Sequence, residues 1–537
     1  METFLPPAAA WPAAPAKPAL TPLTAAQQLL LPLGVVLFDW LFWAEKTGVN
    51  LLLYSVFVVG CQLAVLPRHA PARRAGLFWL AVAGSLFGGL MAAVYGSGAA
   101  ALASGASLLL VVGYANQPHL RLLAFALLTA AGSAAQAGAA VPRAWPGRGV
   151  RGGQVRRGWY YGRLLLGPLA VLGLFHGLFA VANPRYAALS GRALAAVGTW
   201  LARLWPDWSV GHVLFLGLGY WLAAGALVAV PVYYFADREA RLGEFVRRQR
   251  DRVASFGVRR PDFRRRNFQT LDLRQEWLMA VAALGLVNAL LLAVNAIDIN
   301  WLWFGFEPAP GFDLAQFVHE GTYVLIFSIL LAMGIVLWFF RRNLNFYGPG
   351  LPWLRAGATA WVLQNAVLAV SVGLRNYYYI QHRGLAYKRL GVCFFLLLTL
   401  FGLGTMLLKI WQRRSVYFLV RCNALAAYAV LLVLAAGNWE VWMARYNLQA
   451  RFHTVDVGFL LDMPGRVLPE LQAARAVLNR VPQLTGSTSY GAPVVISAAD
   501  AQSRLDAAVA AWRQRQRTYA DWQGWNYADW QAAQALR

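Results

Sequence analysis

Long apolar runs recur along this chain so regularly that a bilayer is the environment they fit. A helix crossing the hydrocarbon core needs about 20 apolar residues, and about 17–25 are tolerated. On that rule the sequence predicts about twelve spans. They are Ala26–Trp43, Val49–Leu66, Ala75–Tyr95, Gly98–Tyr114, Leu120–Val141, Leu164–Ala182, Val213–Phe235, Trp277–Ile297, Gly321–Phe340, Leu354–Leu374, Leu390–Ile410 and Val416–Ala436. Soluble alternatives fail on charge. Of 537 residues, 59% are hydrophobic and only 13% charged, where a soluble domain carries about a quarter charged residues. The 48 basic and 23 acidic side chains cannot coat several soluble domains. Three cysteines, Cys61, Cys393 and Cys422, all in apolar stretches, do not make a disulfide scaffold.

The formal net charge is +25, which nucleic-acid binding or membrane topology can explain. Its distribution favours topology. Pro142–Arg163 carries Arg143, Arg148, Arg151, Arg156, Arg157 and Arg163 with no acid, and Asp237–Arg274 holds the runs Arg247-Arg248-Gln249-Arg250 and Arg264-Arg265-Arg266. Both lie between apolar stretches, as cytoplasmic loops facing anionic lipid do. No nucleic-acid partner is expected. The same parity puts Arg341–Arg342 and Trp411–Arg414 inside and the C-terminal tail outside. Pro67–Arg74, with Arg68, Arg73 and Arg74, is at odds with it; one early span is then re-entrant or miscounted.

The expected fold class is all-α: a polytopic helical membrane bundle with an outer interfacial helix and a small C-terminal helical tail. Residues 1–25 read as a disordered Pro/Ala-rich N-terminus without a signal peptide, and 26–141 as the N-terminal spans. Residues 142–163 form a basic cytoplasmic loop. Residues 164–235 hold further spans and an interfacial helix at 185–204, where Leu194, Val197, Leu201 and Leu204 recur at helical spacing beside Arg192 and Arg203. A second basic loop covers 236–276, the C-terminal spans 277–437, and an extracytoplasmic helical tail 438–537. In the tail, Leu468, Leu471, Ala474 and Leu478 make one stripe, and Ser497-Ala498-Ala499-Asp500 starts another helix. Thr485–Pro493 reads as a turn-rich linker. Localisation follows as the bacterial cytoplasmic (inner) membrane.

No phosphate-binding loop, dinucleotide fingerprint, HExxH or paired CxxC occurs, and His319-Glu320 lacks a second histidine four residues on. No metal, cofactor or catalytic residue is therefore assigned. Polar residues at membrane depth are costly and need partners. They are Asp39, His176, Asn288, Asn295, Asn365, Arg421 and Asn423. Their plain reading is interhelical hydrogen bonding, worth roughly 0.6 kcal/mol each. Arg421 would cost about 2.5–3.5 kcal/mol unpaired even on the mildest scale, and Asp39 is a candidate partner.

A denser set falls at the outer ends of the later spans: His319, Glu320, Tyr323, Arg375, Asn376, Tyr379, Lys388 and Arg389. Either it is an aromatic belt with snorkelling arginines, or it lines an outward-facing pocket whose excess cations suit an anionic or lipid-linked ligand. The functional expectation is non-enzymatic binding, transport or sensing of such a solute. The alternatives are a membrane-embedded transferase with Glu320 or His319 as base, and a structural scaffold.

Several stretches carry a resemblance. They are Phe38-Asp39-Trp40-Leu41-Phe42 with Gly48-Val49-Asn50, Val318-His319-Glu320-Gly321-Thr322-Tyr323, Arg341-Arg342-Asn343-Leu344-Asn345-Phe346, Arg375-Asn376-Tyr377 through Gly384-Leu385-Ala386-Tyr387-Lys388-Arg389, and Ala444-Arg445-Tyr446-Asn447. Together they resemble a family of bacterial integral-membrane proteins known only as a domain of unknown function. The resemblance covers most of the chain after the first span. It implies a multi-span bacterial membrane protein and supplies no activity.

Overall fold

The long segments are apolar all round rather than along one stripe, which makes a helix at home in lipid. The computed structural model describes residues 22–145, 164, 168–169, 171–177, 179–204, 209–228, 230–247, 270–304, 314–340, 343–449, 451–487, 493–518 and 522–537. In chain order the helices are α1 (Ala25–Phe42), α2 (Val49–Val65), α3 (Gly76–Tyr95), α4 (Gly98–Asn116), α5 (Leu123–Ala144), α6 (Val171–Ala182), α7 (Pro184–Leu204), α8 (Val210–Leu227), α9 (Tyr234–Ala240), α10 (Thr270–Asp298), α11 (Leu314–Phe339), α12 (Leu351–Arg383), α13 (Tyr387–Gln412), α14 (Val416–Ala435) and α15 (Trp439–Asn447).

Among the described residues, nine of these are long and apolar enough to cross a membrane: α1, α3, α4, α5, α8, α10, α12, α13 and α14. The other three expected spans fall on α2, α6 and α11, whose apolar stretches among the described residues are Val49–Val65, Val171–Ala182 and Val324–Phe339. Large apolar side chains on these helices stay open, Leu286, Leu290 and Ile297 among them. Water would penalise that surface; lipid does not. The helix expected at 185–204 forms as α7 and leaves Leu189, Leu194 and Val197 exposed. Most of the expected N-terminal disorder, the bulk of the first basic loop and the centre of the second lie outside the described residues.

The chain divides into two compact units. Unit 1 comprises residues 1–43, 57–70 and 129–232. Its core packs Leu31 and Cys61 against Ala137, Ala140, Ala224 and Leu227. Phe38 stacks on Phe215 with ring centroids 4.7 Å apart.

Unit 2 comprises residues 44–56, 71–128 and 233–537. Its α3–α4 hairpin is built on small residues, which let backbones approach. A Cβ on Gly88 would meet the backbone nitrogen of Ser104 at 2.5 Å, so only glycine fits there. Closely packed helices then bond through small hydroxyls: Ser55 to Ser104 at 2.8 Å and Ser107 to Tyr428 at 2.7 Å. The later helices α10–α14 share a core around Leu284, Ile329, Leu354, Trp361, Met406 and Leu419.

Unit 2 has a basic end and a tail end. At the basic end, a short turn at Pro71–Arg74 enters α3 and touches α4. Ser415 N–H donates to the Glu244 carbonyl at 2.9 Å, and Phe245 bridges Arg414. Lys409, only 1% exposed, donates to the carbonyls of Phe340 (3.1 Å) and Arg414 (3.0 Å) and so closes the end of α11. Arg73 and Arg74, which conflicted with the parity of the later spans, thus share an end with Arg413 and Arg414.

At the tail end, Asn447 clamps Leu385, accepting from its N–H at 2.6 Å and donating to its carbonyl at 2.8 Å. Buried Arg466 pairs with Glu440 at 3.2 Å and donates to the carbonyl of Tyr95. The tail itself is helical around a small sheet. It contains β1 (Thr454–Asp456), α16 (Val457–Leu461), α17 (Leu468–Ala473), α18 (Arg475–Leu478), β2 (Gln483–Ser487), β3 (Pro493–Ile496), α19 (Ala498–Thr518) and α20 (Tyr527–Ala535). β1 and β2 pair in parallel and β2 and β3 antiparallel. The expected linker at Thr485–Pro493 is therefore partly strand; Val494-Val495-Ile496 is the β-branched run that favours it. Leu471, Leu484, Leu505 and Trp512 belong to one core. The expected start at Ser497 forms a reciprocal cap with Asp500. The Ser497 hydroxyl holds the Asp500 carboxyl below its usual range, and hydrogen bonds from Arg445 to Glu470 raise the arginine above its ordinary value.

Candidate functional site

The residues expected to line an outward pocket sit in the last turns of α12 and the first of α13. α12 runs on to Arg383, past the expected end at Leu374, until Gly384 at φ +78° stops it. Arg375 is therefore inside a helix. Its guanidinium donates to Asp298 at 2.6 Å, with both residues buried. Asp298 ends α10, where the helix widens into a π-turn at Ile299–Trp303. Asn376 donates to the Arg389 carbonyl at 3.0 Å and to Cys393 at 3.2 Å. The Arg389 guanidinium lies 4.1 Å from the Tyr379 ring centre and caps the carbonyls of Arg383 and Gly384. Lys388 is exposed. Four members, Arg375, Asn376, Tyr379 and Arg389, thus come together as packing around the α12–α13 turn. His319, Glu320 and Tyr323 stand on α11, and their side chains lie outside the described residues.

The intramembrane polar residues find partners in the same way. Asn288 donates to the carbonyls of Leu284 (2.7 Å) and Gly357 (2.9 Å) and accepts from Gln364 at 2.7 Å. Asn295 donates to the Gln364 carbonyl at 3.0 Å. These bonds stitch α10 to α12. Asn365 bonds its own helix at Trp361, and Asn423 donates to Thr405 at 2.9 Å. His176 meets the Tyr186 hydroxyl at 3.0 Å. Arg421 pairs with Glu244 at 2.9 Å, not with Asp39. Asp39 lies in unit 1, where it meets His212 at 2.7 Å while Trp43 stacks on the imidazole.

The arrangement that sequence reasoning missed is at the basic end. The α4–α5 turn, α9, the segment after it and the first turn of α14 line a partly open cavity of about 240 Å³. Its polar lining is His119, Arg121, Glu239, Glu244 and Tyr417. Glu239 is 7% exposed. Its Oε1 accepts from the backbone N–H of Arg121 (3.0 Å), the N–H of Leu122 (3.0 Å) and the hydroxyl of Tyr417 (2.6 Å). Its Oε2 is buried without a hydrogen-bond partner. Glu244 takes the cations instead, Arg421 at 2.9 Å and Arg121 at 3.8 Å. Among the described residues, no cation is in ion-pair contact with Glu239. The signal in the sequence was indirect: Arg421 demanded a partner, and Glu239 and Glu244 stand in the segment 236–276 that reads as a basic loop. Among the described residues no group of three His, Cys, Asp or Glu is placed to hold a metal.

The helices, their lipid-compatible surfaces and these buried polar networks define a multi-pass helical membrane protein. The chain belongs to the family described as Domain of unknown function (DUF4153), whose model matches residues 69–474. The match includes the motifs around His319, Arg341, Arg375 and Arg445, while Phe38–Phe42 and Gly48–Asn50 precede it. No curated protein and no solved structure matches the chain.

Proposed function

We propose that this membrane protein works by reversible binding of a polar solute, in transport or sensing, and that its site is the cavity at the basic end. One observation carries the reading: a carboxylate more than nine-tenths buried, with one oxygen that lacks a hydrogen-bond partner, belongs to the lining of a partly open cavity. A buried polar atom left unpaired costs about 1–3 kcal/mol, more when charged, so a ligand that satisfies it gains what the free protein lacks. The tail-end cluster supports an anion pocket less well, because Arg375 already meets a carboxylate in direct contact.

Positive-inside bias favours a cytoplasmic basic end and an extracytoplasmic tail in a bacterial inner membrane. Single cysteines replacing Arg247 and Ser503 should react with an impermeant thiol reagent from opposite sides; labelling from one side contradicts that orientation. The binding reading is tested by Ala236→Phe, which fills the cavity. At least one polar solute from a broad panel should raise the melting temperature of the wild type and leave Ala236→Phe unmoved. Equal shifts in both proteins, or none in either, would count against a site in this cavity.

A further inference from the structure

The sign and placement of the charges around the cavity point to its ligand, an inference that rests on the binding reading above. Glu239 is held by three neutral donors, two amides and a phenol, all on one oxygen. Its second oxygen is buried out of reach of water and has no donor of the protein, so a ligand meets it only by turning the carboxylate toward the cavity. A carboxylate is an acceptor only, and its strongest partners are charged N–H groups. The cations near it are turned elsewhere: Arg421 is engaged by Glu244 at 2.9 Å. Arg121 touches Glu244 only at 3.8 Å, and its side chain is 60% exposed. That guanidinium lines the same cavity as Glu239. An unmatched anion and a loosely held cation thus share one space of about 240 Å³, room on the order of several waters at about 30 Å³ each.

We propose that the cavity takes a small zwitterion, its ammonium on Glu239 Oε2 and its phosphate on Arg121. The ammonium must carry N–H, because Oε2 lacks a hydrogen bond as well as a countercharge. A quaternary ammonium supplies only charge. The phosphate suits Arg121, whose planar guanidinium matches two phosphate oxygens. Two sources offer this chemistry: a phosphoethanolamine lipid headgroup, and the same headgroup free in solution.

The test uses the full chain in detergent, followed by thermal unfolding with phosphoethanolamine, phosphocholine, ethanolamine or inorganic phosphate. Phosphoethanolamine should stabilise at concentrations about ten- to a hundredfold lower than phosphocholine, the factor expected for one charged hydrogen bond. Glu239→Gln should erase the preference. Arg121→Gln, at an exposed side chain, should keep the fold and weaken phosphoethanolamine to the level of ethanolamine. Nanodiscs of phosphatidylethanolamine against phosphatidylcholine, at equal anionic-lipid content, separate the sources. A shift confined to the nanodiscs assigns the headgroup to the lipid, and a shift with the free compound assigns it to the solute. Equal response to phosphocholine or inorganic phosphate overturns the ammonium assignment, as does no response in either setting. If other solutes still stabilise the wild type but not Ala236→Phe, the cavity stands as a binding site and only the zwitterion falls.

Discussion

Arg375–Asp298 and Glu239 are both buried in unit 2, one at its tail end and one at its basic end, and they differ in what surrounds the carboxylate. Asp298 keeps one oxygen without a hydrogen bond, but a guanidinium sits 2.6 Å from the other. Glu239 also keeps one oxygen bare, yet its contacts are neutral and a cavity lies beside it. In a medium of low dielectric the first arrangement is a closed electrostatic unit and the second is not. Burial of a charged residue therefore does not mark a site in this molecule. The proposed site is marked instead by a buried carboxylate with no cation in contact, in the lining of a cavity.

The largest effect is expected from opening the closed pair. Arg375→Leu should cost about 3–5 kcal/mol by leaving Asp298 alone, and Asp298→Leu should cost a similar amount. The double variant should return close to wild type. Unfolding midpoints in bicelles check this. A fully stable Arg375→Leu protein would mean that the pair is not closed, and the anion pocket at the tail end would regain its support.

Lys409 sharpens the same contrast, being a buried cation satisfied by carbonyls alone. Lys409→Met strands two acceptors and should cost about 1–3 kcal/mol. It should leave ligand-dependent stabilisation at the neighbouring cavity in place. Loss of that response with retained stability would show that Lys409 serves binding rather than packing.

The smallest effect concerns a carboxylate satisfied in water. Asp500 is held below its usual range by the Ser497 hydroxyl. An acid with a lowered folded-state value contributes stability that is complete above its unfolded value, about 3.9, and that is lost as pH falls through the folded one. The first turn of α19 should therefore fray on acidification from about pH 5 to about pH 3. Amide exchange at Ala501 and Gln502 reads this. Unchanged protection over that range would remove the cap from the account.

The membrane class and most helix positions were legible in the sequence because a lipid-facing helix is apolar on every side, which composition alone reveals. Span lengths were less so: α12 outruns its apolar stretch because Arg375, Asn376 and Tyr379 have partners within the protein and need no water. The short strands were hidden by their length, with β3 holding four residues. The polar positions Asn288, Asn295 and Asn423 were visible as costly residues, whereas their partners required the fold. Glu239 was invisible as a site. Its chemistry depends on backbone amides of the α4–α5 turn and a hydroxyl on α14, more than a hundred residues away in either direction.

The most direct measurement is a cryo-EM map of the full chain in native lipid, compared at the two buried carboxylates. A ligand bound in the cavity should appear as non-protein density within hydrogen-bond distance of the Glu239 carboxylate, lost in Ala236→Phe, with none between Arg375 and Asp298. An empty cavity at Glu239, with ordered density instead among Arg375, Lys388 and Arg389, would contradict it.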